Sequence, residues 1–286
     1  MSSSNLKIPS PWSQLALLTI LAGCALILAG VSVLLLPGVH AGQIPSDPGT
    51  QKLMQMVSSI VLFGVPALFY GLMTFRKAPL QELGFRPAEK NIFYLIPVVL
   101  LVASVPLEGW LGMVNKQLPL PRWMVDMEQG KDKQIALLLS GKRPIDMLAN
   151  VFVMAIVPAF VEEACFRGTL QRVMIQLFRS PWAGIIFTGL WFSASHGEFE
   201  GFLPRACLGI LLGAAYWYSR SLWPVIIAHA FFNGVQVIAA AYYPSMVTEN
   251  PSVPFYWALL SLVLVVGLLA YMRKSSTVTY AQIYHA

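Results

Sequence analysis

Apolar residues run through this chain in long blocks broken by short polar connections. Eight blocks stand out, at residues 12–36, 53–75, 92–114, 145–178, 182–196, 202–218, 222–242 and 255–272. A helix crosses a bilayer with about 20 mainly apolar residues. The pattern therefore predicts an all-α polytopic membrane helix bundle of about eight transmembrane helices. The first block is longer than the about 7–15 residues of a signal-peptide core, so it reads as a retained span. The fifth and sixth are short, which suits packing inside a bundle better than full exposure to lipid. Pro66 predicts a kink in the second helix, and Pro158 a bend or break in the fourth. Pro97, Pro106 and Glu108 predict a third helix that is not straight. Glu108 itself reads as a solvated helix end near the membrane surface. Gly209 and Gly213 form a small-xxx-small pattern that allows close helix packing.

Residues 115–143 are the longest polar stretch. Trp123, Met124, Met127, Ile135 and Leu137–Leu139 alternate there with Asp126, Glu128, Lys131, Asp132 and Lys133. That mix predicts an amphipathic helix lying on the membrane interface, with a plain soluble loop as the alternative. The chain divides accordingly. Residues 1–144 form an N-terminal three-span region with this interfacial segment, 145–243 a membrane core rich in polar groups, and 244–286 a last span and tail.

Composition supports the membrane reading. Of 286 residues, 57% are hydrophobic and 11% charged, against about 25% charged in soluble domains. The net charge of +6 lies mostly in the connections, as anionic lipid surfaces favour. It implies membrane lipids as partners and no nucleic acid. With eight spans, the side holding both termini carries 11 Lys and Arg and the other side 8, six of these within residues 115–143. Setting that segment aside leaves 11 against 2 and places both termini in the cytoplasm, with a bacterial inner membrane as the expected location. Cys24, Cys165 and Cys207 all fall in apolar blocks and read as small core residues, not a disulfide framework.

The fourth block contains Glu162, Glu163 and Arg167 within six residues. Each charge at the centre of a bilayer costs about 2.5–3.5 kcal/mol on an insertion scale. Glu163 and Arg167 are i and i+4 on a helix and can pair. Glu162 points about 100° away and is free to face something else. His196 lies at the end of the fifth block, four residues after Phe192, and His229 lies in the seventh, one turn before Asn233. His40 and His285 fall in loop and tail. Each inner histidine alone reads equally well as an interhelical hydrogen-bonder, and a lone Asn at a packed face is usually structural. Together, two carboxylates, an arginine, two histidines and an amide on three successive spans favour one buried polar cluster.

Such a cluster suits peptide hydrolysis by an activated water. A carboxylate held among apolar groups can act as general base, a histidine beside it can hold the water, and a second histidine and an amide can donate to an oxyanion. No Gly-x-Ser-x-Gly elbow supports a serine hydrolase, and no His-Glu-x-x-His supports a zincin. Zn²⁺ held by Glu162, His196 and His229 is a second chemistry open to these residues. A proton-coupled transporter is a third, although no pair of broken helices recurs in two halves of the chain.

Three motifs then stand in order, each on its own span: Glu162-Glu163-Ala164-Cys165-Phe166-Arg167, Phe192-Ser193-Ala194-Ser195-His196, and His229-Ala230-Phe231-Phe232-Asn233. In these motifs the chain resembles the CAAX-prenyl-protease and bacteriocin-processing (CPBP, or ABI) family of intramembrane proteases, over residues 145–236. The resemblance implies a glutamate-dependent intramembrane endopeptidase acting on membrane-associated or hydrophobic peptide substrates. It implies Glu162 as general base, His196 as the residue positioning the water, and His229 and Asn233 as oxyanion donors. Glu163, Arg167 and Phe192 would orient them. The family is often labelled metalloprotease, yet the glutamate mechanism requires no metal. A non-proteolytic immunity or scaffold protein with the same fold is the alternative.

Overall fold

The computed structural model describes residues 5–36, 39, 45, 47–124, 135–139, 141, 143–243 and 252–284. Eight long helices carry the fold among these residues: α1 (Pro11–Leu34), α2 (Pro48–Thr74), α3 (Ile96–Asn115), α4 (Pro144–Phe178), α5 (Pro181–Ser195), α6 (Phe202–Ser219), α7 (Leu222–Tyr242) and α8 (Phe255–Ser275). No strand occurs among the described residues. By length and composition, α1, α2, α4, α7, α8 and α3 with the turn before it are able to cross a membrane. The shorter α5 and α6 pack against each other, with α6 also against α3.

Prolines mark helix starts. α1, α2, α4 and α5 each begin on one, where the missing N–H has no intrahelical partner to lose. Asp47 caps α2 by accepting from Thr50 N at 2.7 Å, which holds its carboxyl below the usual carboxylate range. That cap starts α2 at Pro48, earlier than the apolar block at 53 predicts, because capping and not hydrophobicity decides where a helix begins. Pro97 likewise sits in the first turn of α3 and bends nothing.

Interior prolines are accommodated by wider turns. α2 contains a π-helical turn at Ile60–Gly64, directly before Pro66, and α4 one at Phe152–Ile156, directly before Pro158. In each, the N–H preceding the proline reaches five residues back, Val65 to Ile60 O and Val157 to Phe152 O. The extra residue absorbs the mismatch that a proline creates in an α-helical ladder. α4 therefore continues through Pro158 for 35 residues instead of breaking there. Pro106 in α3 is handled differently. Ser261 of α8 inserts its hydroxyl, accepting from Leu107 N at 3.3 Å and donating to Ala103 O at 2.5 Å.

The connections at the two ends differ. At the end holding the termini, Arg86 Nε donates to Arg220 O at 2.8 Å, Ser221 Oγ to Arg86 O at 2.5 Å, and Ser276 Oγ to Tyr218 O at 2.8 Å. At the other end, Asn115 ties α3 to the α5–α6 connection, donating to Phe199 O at 2.6 Å and accepting from Leu203 N at 2.7 Å. Of the interfacial segment, Arg122–Met124 and Ile135–Leu138 are helical, whereas Asp126, Met127, Glu128, Lys131, Asp132 and Lys133 lie outside the described residues, as do His40 and His285. Cys165 and Cys207 are half-buried, but Cys24 is exposed on α1, because that helix packs along one side only.

Candidate active site

α4 stands between α2, α5 and α7, and it carries the acidic pair inward. Glu162 is buried and Glu163 and Arg167 are fully buried. Arg167 Nη1 donates to Glu163 Oε1 at 2.9 Å, Nη2 donates to Gly209 O of α6 at 3.0 Å, and the guanidinium lies 4.7 Å over the Phe192 ring. The i, i+4 pair is thus present, and its cation is also pinned to two other helices. His229 of α7 is buried and places Nδ1 2.9 Å from the same Glu163 Oε1. One carboxylate oxygen therefore serves both the arginine and the histidine.

His196 follows the last residue of α5. Gly197 behind it takes φ 60°, the left-handed conformation that ends a helix and that a Cβ disfavours. The ring is held by Nδ1, 2.7 Å from Phe192 O, which directs Nε2 toward Glu162 Oε2 at 4.0 Å. That distance is too long for a direct hydrogen bond, at about 2.7–3.2 Å, and it suits a water bonded to both groups. Phe192 is the common packing surface. Its ring meets His196 at 4.8 Å, His229 at 5.9 Å and Phe166 at 5.1 Å between centroids.

Glu162, His196, His229 and Asn233 all line one chamber of about 380 Å³. The structure thus brings these four sequence-predicted residues together. Glu163 and Arg167 lie behind the chamber wall, and Phe192 forms part of it. The chamber also receives Gln55 from α2, Glu108 from α3, Arg205 from α6 and Gln236 from α7. Arg205 pairs with Glu198 and donates to Glu198 O at 3.1 Å.

Glu108 corrects the sequence reading. It is not a solvated helix end. It lies two turns inside α3, half-buried, and faces the chamber. The Ser104 hydroxyl donates to its Oε1 at 2.7 Å. The only sequence sign was Ser104 one turn earlier, which reads as any helical i, i+4 neighbour. Gln55 had a clearer sign, since Gln51, Gln55 and Ser59 form a polar stripe at helical spacing.

A second space of about 350 Å³ shares Gln55, Met154, Glu162 and His196 with the chamber. It shares Leu62, Phe63 and Ser195 with an apolar cleft of about 670 Å³ between α1, α2, α4 and α5. The three spaces form a series from lipid-facing side chains to the polar chamber.

Among the described residues no three His, Cys, Asp or Glu side chains converge on a metal-sized point.

Comparison of the chain with curated proteins and with solved structures returns no match. The family described as type II CAAX prenyl endopeptidase Rce1-like matches residues 144–235, the segment that holds all three motifs, and over that segment the chain is similar to CAAX proteases.

Proposed function

We propose that the protein is an intramembrane endopeptidase in which Glu162 and His196 activate a water against a peptide carbonyl. The observation that carries this reading is the 4.0 Å gap between Glu162 Oε2 and His196 Nε2, opening on a polar chamber inside an apolar bundle. A water there donates to the carboxylate and to Nε2. Its oxygen attacks the carbonyl carbon, and its proton passes to Glu162. Asn233 Nδ2 and His229 Nε2 donate to the oxyanion. Glu163 engages His229 Nδ1 at 2.9 Å and so orients the ring. Collapse of the tetrahedral intermediate breaks the C–N bond, and Glu162 returns its proton to the leaving amine. The family match and the apolar approach support a membrane-anchored peptide as substrate. Its lipid-facing part would lie in the cleft between α1, α2, α4 and α5, and no metal takes part in any step.

We further place the protein in a bacterial inner membrane with both termini cytoplasmic, from the distribution of Lys and Arg. The test is turnover of quenched hydrophobic peptides by purified protein in detergent. Glu162→Gln is expected to lower kcat by about 10²–10⁴-fold. Full activity in that variant would overturn the mechanism. An inactive wild type whose biological effect survives Glu162→Gln would favour the immunity or scaffold reading.

A further inference from the structure

The chamber holds a second carboxylate that the proposed mechanism does not use. Glu108 approaches from α3, outside the family-matched segment. The other charged groups around the chamber have named polar neighbours. Arg167 and His229 share Glu163, Arg205 has Glu198, and Glu162 faces His196. Among the described residues Glu108 has no ion pair, and its hydrogen bond is to the Ser104 hydroxyl at 2.7 Å.

Its position is built. Pro106 opens the ladder of α3 two residues earlier, and Ser261 of α8 fills the opening by bonding Leu107 N and Ala103 O. Ser104, fully buried, then fixes the carboxylate from one turn below. A carboxylate held in this way faces a cavity large enough for several side-chain atoms and has no counter-charge among the described residues. The group that completes it is a cation, because a neutral donor leaves the charge uncompensated.

We infer that Glu108 forms an acidic subsite that receives a lysine or arginine side chain of the substrate beside the scissile bond. This rests on the peptidase reading and adds a selectivity to it: a cationic residue on a peptide that is otherwise apolar. Glu108 selects the substrate and takes no part in the proton transfers, which belong to Glu162.

The test uses full-length protein in detergent and quenched peptides with Lys, norleucine or Glu at each position flanking the cleaved bond. The wild type is expected to prefer Lys to norleucine at one position, by on the order of 30-fold in kcat/KM. In Glu108→Gln, nearly identical in shape, that ratio is expected to fall to about 1, and in Glu108→Lys the Glu peptide becomes the preferred one. The readout is a ratio within one preparation, so partial loss of folded protein cancels. A Lys preference that survives Glu108→Gln overturns the subsite, as does a uniform slowing of every peptide with the ratio unchanged.

Binding separates this proposal from the peptidase reading. Anisotropy with a labelled Lys peptide compares Glu162→Gln with the Glu162→Gln, Glu108→Gln double variant. Glu108-dependent binding by a protein that cleaves nothing keeps the subsite and removes the peptidase. Cleavage without any Glu108-dependent preference does the reverse.

Discussion

At the scale of single residues, the two adjacent glutamates have opposite consequences. Glu163 Oε1 takes both Arg167 and His229, while Glu163 Oε2 and Arg167 Nε have no partner among the described residues. Removing the Glu163 charge leaves a fully buried guanidinium uncompensated. Glu163→Gln is expected to lower stability by about 3–5 kcal/mol, read as a fall in Tm in detergent, together with loss of turnover. Glu162 has no such dependent, and Glu162→Gln is expected to keep or raise Tm while abolishing turnover. Equal Tm losses in the two variants would contradict this division. The pairing of Glu163 with Arg167 was legible from i, i+4 spacing alone. Its further bond to His229, 66 positions away, was not, because helical spacing carries no information about which helices become neighbours. Glu108 was misread for the same reason. Its depth in the bundle depends on α6, α7 and α8 packing around α3.

At the scale of helices, the paired glycines of α6 were legible as a packing face, but their partners were not. Gly209 meets Gly189 of α5, where an added Cβ would lie 3.0 Å from the Gly189 Cα and O. Gly213 meets Gln171, whose amide nitrogen donates to Gly213 O at 2.9 Å. Because both Gly189 contacts are backbone, Gly209→Ala must part α5 from α6, an overpacking that costs about 1–3 kcal/mol. It also displaces the carbonyl that holds Arg167. We expect Gly209→Ala to lower Tm and, in folded protein, to lower kcat as well. Leu at position 208, already buried beside it, makes this a packing change and not a change in polarity. The proline positions were equally visible in sequence, yet whether each bends, opens or merely starts a helix depends on its partners. Pro66 and Pro158 follow π turns, Pro106 has Ser261, and Pro97 begins α3.

At the scale of the molecule, the eight apolar blocks correspond to eight helices, since a run of apolar residues suffices to specify a bilayer-buried helix whatever its neighbours. The relation of site to termini required the structure. His196, Arg205 and Glu108 lie toward the end carrying the α3–α4 and α5–α6 connections, and both termini lie at the other. Cleavage is therefore expected on the face opposite the termini. Membrane-impermeant labelling of single cysteines placed near residue 8 and residue 200 checks this in vesicles. Labelling from the same side would overturn it. Under the proposed mechanism, proton transfer through Glu162 makes turnover indifferent to chelation. Dialysis against a chelator is expected to leave kcat/KM within about twofold, and loss restored by zinc alone would reverse that conclusion.

The insertion of Ser261 into α3 has a consequence for how the chamber could be rebuilt. Ser261 and Glu108 both lie beyond residues 144–235, so the helices that shape one wall of the chamber are distinct from the helices that hold its proposed reactive groups. Exchange of the α3 and α8 pair between two such proteins would carry a taste for one peptide into a scissor built for another, with the blades untouched.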